Sequence, residues 1–223
     1  MDKSSLITLT DYEKAAYEKM TKELSDYVRC GAQDEITLRR NRQALDDIIV
    51  NPRIFRDVDS RDLSTTVLGD KIDIPIMLTP AGGQLHMDPD GELASARAAH
   101  SHGTVYSTPT NSGYSLETIA DVTNGPKWFQ IGQHRKEIQE HFVKRAKKSG
   151  YKAIVLTADT PIPSRRESEI RNNFSIQSRL SWGSVEGHED FLLADPHLRE
   201  YIYGKAEDEE PVSAGTGDKS MTW

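Results

Sequence analysis

Four short apolar runs, set at near-regular intervals through the middle of the chain, limit the fold more than any other feature. They are "IPIMLTP" from residue 74, "TVYST" from 104, "KWFQIG" from 127 and "AIVLTAD" from 153, so that successive starts fall 30, 23 and 26 residues apart. Between them lie "DGELASARAAHSHG", "SLETIADVT" and "RKEIQEHFVKRAKKSG", whose apolar residues recur at helical spacing. Strands alternating with helices of this length imply βα units and a parallel sheet. Near-continuous apolar runs suit strands buried on both faces. An open doubly wound sheet and a (β/α)8 barrel both meet these terms. No Gly-x-Gly-x-x-Gly follows the first run, which disfavours a dinucleotide-binding sheet, and "TPAGG" does not match a Walker loop.

Residues 10 to 47 read as helices. "TDYEKAAYEKMTKELSDYV" follows a Thr10/Asp11 start signal, and "DEITLRRNRQALDDI" repeats the pattern after Gly31 until Pro52 ends it. "TTVLGDKID" reads as a small hairpin around Gly69-Asp70. Beyond residue 174 one short helical patch, near 189 to 203, precedes an acidic Gly/Ser-rich stretch. The expected segments are therefore 1–73 (helices and hairpin), 74–174 (four parallel strands with their helices) and 175–223 (loop-rich, partly disordered).

With 223 residues the chain can bury a real core as one large domain or two small ones. A net charge of −7 argues against nucleic acid or an anionic membrane as the main partner. The single cysteine, Cys30, excludes an intramolecular disulfide and any multi-cysteine metal site, and fits a reducing compartment. "MDKSSLITLTDYEKAAYEKM" lacks the apolar core of a secretory signal, no run reaches membrane-spanning length, and Met-Thr-Trp at the end is not a Ser-Lys-Leu address. An intracellular protein is expected, in the cytoplasm or an organelle, and not a secreted one.

In parallel α/β folds the pocket forms outside the carboxyl ends of the strands. Those ends read Thr79-Pro80-Ala81-Gly82-Gly83, then Thr108-Pro109-Thr110-Asn111, then Gln130, then Thr157 with Asp159. Backbone amides, hydroxyls and one carboxamide, with no paired acid or metal cluster, suit a large polar heterocycle. Arg165 and Arg166 lie just beyond. Either they are a solvated loop paired with Glu167 and Glu169, or Arg166 grips a carboxylate or phosphate through two parallel hydrogen bonds. The seven histidines show no metal-ligand spacing and read as surface residues, and Tyr27 within a helix reads as packing.

The ordered blocks "DYVRCGAQDEITLRRNRQAL", "NPRIFRDVDSRDLSTTVLG", "IPIMLTPAG", "DPDGELASARAA", "WFQIG", "VKRAKKSGYKAIVLTADTP" and "RRESEIRNNF" resemble the FMN-dependent α-hydroxy acid dehydrogenase/oxidase family, from about residue 9 to 174. The resemblance implies an α/β fold, a partial (β/α)8 TIM barrel comprising the N-terminal helices and the first four βα units. FMN would sit at its C-terminal mouth. By the same resemblance Pro80, Ala81 and Gly82 border the flavin through backbone groups, and Gln130 and Thr157 bond its polar edge. Tyr27 and Arg166 hold a small 2-hydroxy acid or 2-oxo acid, Arg166 by the carboxylate.

Departures from the family pattern accompany the match. Pro109 stands where a serine is usual, Asn111 where a Trp is common, Gly132 where a second substrate tyrosine falls, and Asp88 at the histidine of "HPEGE". A wider pocket is implied, with a substrate other than plain glycolate or lactate, or a weakened activity. A complete barrel needs about 250 residues, and "KSMTW" reads as the start of the helix after the fourth strand. The family's flavin-stabilising lysine, histidine base, second arginine and phosphate-binding strands have no counterparts here. Two readings follow: the N-terminal half of an oxidoreductase site, with a complementing half-barrel or homo-oligomer as partner, or a truncated half-barrel remnant without turnover. An unrelated TIM-barrel enzyme with convergent strand ends is a weaker third.

Overall fold

The computed structural model describes residues 5–132, 134–159, 164–174, 182–196 and 198–199. These form helices α1 (Leu9–Tyr17), α2 (Lys22–Arg29), α3 (Ile36–Asp46), α4 (Gly91–Ser101), α5 (Leu116–Asp121), α6 (Lys136–Lys148), α7 (Glu167–Asn172) and α8 (Glu189–Leu192). The strands are β1 (Thr65–Val67), β2 (Asp70–Ile72), β3 (Tyr106–Thr108), β4 (Lys127–Ile131) and β5 (Ala153–Leu156). The chain divides into two compact units, Met1–Arg56 with Ser164–Ile176, and Asp57–Pro163 with Gln177–Trp223.

In the first unit, α1 begins two residues earlier than the Thr10/Asp11 signal implies. Thr8 is the cap: its Oγ1 accepts from Asp11 N (3.2 Å), while the Asp11 carboxylate accepts from Thr8 N (2.8 Å). This reciprocal pair satisfies two donors that a helix start leaves open. The long apolar pattern then breaks at Thr21, whose Oγ1 accepts from Leu24 N and starts α2 afresh. Helix α7 packs on α2, with Asn172 Nδ2 donating to Asp26 Oδ2 (2.8 Å) and the Tyr27 and Phe174 rings 5.9 Å apart.

The second unit opens with the expected hairpin, β1 pairing antiparallel to β2. Its turn residues Leu68 and Gly69 both have positive φ, the backbone that matches the twist of two tightly joined strands. The main sheet is parallel, in the order β3-β4-β5. The first apolar run, expected as a full strand, contributes one parallel bridge, Leu78 to Tyr106. Pro75 and Pro80, which bracket the run, carry no N–H for a ladder, and two bonds at Leu78 attach it to Val105 and Ser107.

Phe129 and Ile131 of β4 pack with Leu116 of α5 and with Ile138, Phe142 and Ala146 of α6. Tyr106 of β3 packs with Ala96, Ala99 and Ile119. β5 is less enclosed than its apolar run implies. Register places Ile154 and Leu156 beside Phe129 and Ile131, yet they remain 41% and 47% exposed. The stretch after residue 174 does more than the sequence reading allows: Trp182, Val185, Leu192 and Leu198 join the core of β4 and α6. Arg145 fastens it, donating from Nη1 to Ser184 O (2.6 Å) while Nε and Nη2 grip both oxygens of Glu117 at 2.8 and 2.7 Å. Of the helical patch expected at 189 to 203, α8 forms its beginning; residues 197 and 200–223, including "KSMTW", lie outside the described residues.

Candidate functional site

Three parallel strands bring Thr110, Gln130 and Thr157 side by side at their carboxyl ends. Thr110 N donates to Gln130 Oε1 (3.1 Å), Thr110 Oγ1 to the Gln130 backbone O (2.5 Å), and Gln130 Nε2 to Thr157 Oγ1 (2.7 Å). The backbone N–H of Thr110 can only donate, so the oxygen of the carboxamide must face it and the nitrogen must face Thr157. Thr157 therefore accepts, and its own proton is available to another group. Each carboxamide atom keeps a second valence: one N–H on Nε2 and one lone pair on Oε1.

Thr108 leaves this lining. It is fully buried, and its Oγ1 lies 3.1 Å from Tyr151 Oη, which donates its single proton to Leu116 O (2.8 Å). Thr108 is then the donor to Tyr151. Burial pushes the Tyr151 phenol well above the usual range, so it stays protonated in this role.

The loop Pro80–Gly83 is tied down through Gln84, which sequence reading missed. Gln84 Nε2 donates to Ala81 O (2.8 Å), Ser95 Oγ donates to Gln84 Oε1 (2.6 Å), and Gln84 N reaches the fully buried Glu92 carboxylate (3.4 Å). A carboxylate at zero exposure in the first turn of α4 had only one sequence signal, its place beside the helix start Asp90-Gly91. Gly82 is where this loop meets the β3 end: a Cβ there would lie 2.3 Å from Asn111 Oδ1. The structure thus groups Pro80, Ala81 and Gly82 with Gln130 and Thr157 in one unit.

Tyr27 and Arg166 belong to the other unit and meet each other within it. The Arg166 guanidinium lies 4.5 Å from the Tyr27 ring centre. Its Nε pairs with Glu169 Oε1 (2.6 Å) and Cys30 Sγ (3.2 Å), and Nη2 donates to the backbone oxygens of Tyr27 and Cys30. Nη1 takes part in none of these contacts. Arg165 lies 3.9 Å from Glu167. The pairing of these arginines with Glu167 and Glu169 is therefore present. Of the histidines, His100 and His102 are exposed as the surface reading expects, while His86, His134, His141 and His188 are partly buried, and His197 lies outside the described residues. His134 is held neutral by burial, its pKa lowered to about 4 despite the opposing charge of Asp195, and the His141 and His188 rings stand 4.8 Å apart. Among the described residues no cluster of His, Cys, Asp or Glu suits a metal ion, and no helix is long and apolar enough to cross a membrane.

A three-stranded parallel sheet flanked by helices, with an oriented carboxamide and hydroxyls at its strand ends, defines an α/β protein with a polar strand-end site. Residues 16–223 match the model of the FMN-dependent dehydrogenase family, and the chain belongs to that family, whose cofactor is FMN. It is 38% identical over 222 residues to glycolate oxidase 5 of Oryza sativa subsp. japonica, covering 98% of this chain and 57% of that protein. A mandelate oxidase crystal structure with 3,3-difluoro-2-hydroxy-3-phenylpropionic acid superposes with a TM-score of 0.75 at 35% identity, over 79% of this chain and 54% of the other. A mandelate oxidase variant with a C4a-OH-FMN adduct gives 0.73 at 35%, over 78% and 53%. The chain thus spans just over half the length of these relatives, and its fold is a partial (β/α)8 barrel of their kind.

Proposed function

We propose that this chain supplies the N-terminal half of an FMN-dependent oxidoreductase site acting on a small 2-hydroxy acid. The observation that carries the reading is the carboxamide of Gln130, fixed between Thr110 and Thr157 with one donor and one acceptor to spare. One half of an imide edge, an N–H donor beside a carbonyl acceptor, is matched by the Oε1 lone pair and the Nε2 N–H of the carboxamide, and the Thr157 hydroxyl proton lies on the same side as that N–H as a second donor for the carbonyl. Bound FMN would supply the acceptor for the hydride released from the CH–OH carbon. The chain's own residues bind and orient. Pro80, Ala81 and Gly82 border the ring through their backbone, and Gln130 and Thr157 hold its polar edge. Tyr27 and Arg166 take the substrate, the guanidinium binding its carboxylate.

A second reading is a half-barrel that binds flavin or a partner without turnover. Titrating the purified chain with FMN, followed by quenching of flavin fluorescence, tests the shared part. Saturable binding is expected, and its absence would refute the cofactor assignment. Steady-state oxidation of a panel of 2-hydroxy acids by the loaded chain then separates the two. Turnover supports a self-sufficient site, and binding without turnover supports the half-site, completed by a further half-barrel.

A further inference from the structure

Thr110 grips Gln130 twice, and nothing in the fold requires it to do so for the ladder alone. β3 ends at Thr108, and the next residue, the fully buried Pro109, has no N–H to give. Its ring fixes φ and delivers Thr110, itself buried, directly beside the β4 end. There the hydroxyl takes the place of a ladder donor to the Gln130 backbone oxygen, while the amide N–H meets the Gln130 side chain. One residue thus holds both where Gln130 starts and which way its carboxamide faces.

Resting on the function proposed above, we infer that Thr110 is a positioning residue that sets the hydrogen-bond polarity of the flavin site. A carboxamide has nearly the same shape after a half-turn about its last bond, and Thr157, able to donate or accept, would tolerate either orientation. The Thr110 N–H does not. It forces Oε1 to its own side and Nε2 to the side of Thr157, and so places an acceptor and a donor in fixed order along the strand ends. The Oε1 lone pair left over needs a donor from the ligand, and on the imide edge of a flavin the N3–H is the one donor available. Thr110 thereby selects a ring with a free N3–H over one in which that proton is replaced.

The hydroxyl, bonded to the Gln130 backbone oxygen, is what anchors the Thr110 N–H beside Oε1. The test therefore uses the purified chain with Thr110→Val, which keeps the N–H and the shape but loses that anchor, and Thr110→Ser, which restores it. In nitrogen-15 spectra without flavin, the two Gln130 side-chain N–H signals are expected to be well separated and slow to exchange in the wild type and Thr110→Ser. They are expected to broaden or exchange rapidly in Thr110→Val. With flavin, FMN should bind about tenfold tighter than its N3-methyl derivative to the wild type and Thr110→Ser, and with little preference to Thr110→Val. Unchanged Gln130 signals and unchanged preference in Thr110→Val overturn the inference. Loss of the Gln130 signals in a chain that binds neither flavin upholds the positioning by Thr110 and refutes the flavin reading instead.

Discussion

Gln130 Nε2 donates to Thr157 Oγ1 at 2.7 Å, joining the central strand of the sheet to its neighbour at their carboxyl ends. Thr157→Val removes the acceptor and the hydroxyl proton while keeping the shape. Because the site is only partly buried, water can replace the lost partner, and the stability cost is expected to be about 1 kcal/mol. FMN affinity is expected to fall about tenfold, since a donor to the ring edge is lost as well. Urea unfolding and a flavin titration measure the two effects separately. An unchanged dissociation constant would remove Thr157 from the flavin site.

Arg166 raises a competition between fold and ligand. Its Nε is committed to Glu169 at 2.6 Å and to Cys30, and its plane lies over Tyr27. Arg166→Lys loses both the fork and the stacking, so it is expected to cost about 1–2 kcal/mol of stability and to weaken binding of a 2-oxo acid to the flavin-loaded protein. Glu169→Gln should act in opposite directions: slightly lower stability, but tighter carboxylate binding, because the guanidinium is released from an anionic neighbour. Perturbation of the flavin spectrum by a 2-oxo acid reads the second effect. Weaker binding in Glu169→Gln would show that the acid orients the arginine rather than competing for it.

Two glycines separate a tight backbone crossing from an adaptable one. A Cβ on Gly183 would lie 2.4 Å from both C and Cα of Tyr114, whereas on Gly82 it would meet the end of the Asn111 side chain. Backbone cannot step aside as a side chain can. Gly183→Ala is expected to cost about 3 kcal/mol and Gly82→Ala about 1 kcal/mol, with Asn111→Ala restoring the second. Denaturant midpoints of the variants check this ordering, and equal losses would contradict it.

Local and periodic features were the legible ones. Apolar runs gave the parallel strands β3, β4 and β5, and Gln130 stood out because a carboxamide interrupts such a run. Thr8 was missed as a cap because Thr10 also precedes an apolar pattern, and only the reciprocal bonds with Asp11 decide between them. The role of Thr110 depends on a partner 20 residues away, and that of Glu92 on burial, neither of which spacing can show. The core contribution of Trp182 and Leu192 was hidden by the polar residues around them, since four apolar side chains spread over an irregular segment have no period to detect.

His134 makes the stability of the second unit depend on acid. Burial holds its imidazole neutral, with a pKa of about 4 against 6.5 for an unperturbed histidine, and the nearby Asp195 charge only partly opposes the effect. The folded-state value is the lower one, so above pH 6.5 both states are neutral and the full stability is present. As the pH falls from 6.5 towards 4, the unfolded chain takes up a proton that the folded chain refuses, and stability declines by up to about 3 kcal/mol. Below 4 the folded form is protonated too and this contribution levels off. Burial raises the Glu117 carboxyl, but the hydrogen bond and charge of Arg145, a backbone N–H and the nearby His188 together hold it below the usual range, so its contribution is also lost in acid, in a lower window. Urea unfolding at pH 7 and pH 4.5 should therefore show a steep drop for the wild type and a shallower one for His134→Asn, the difference isolating the imidazole. Equal drops in the two proteins would mean that His134 is accessible to protons in the folded state.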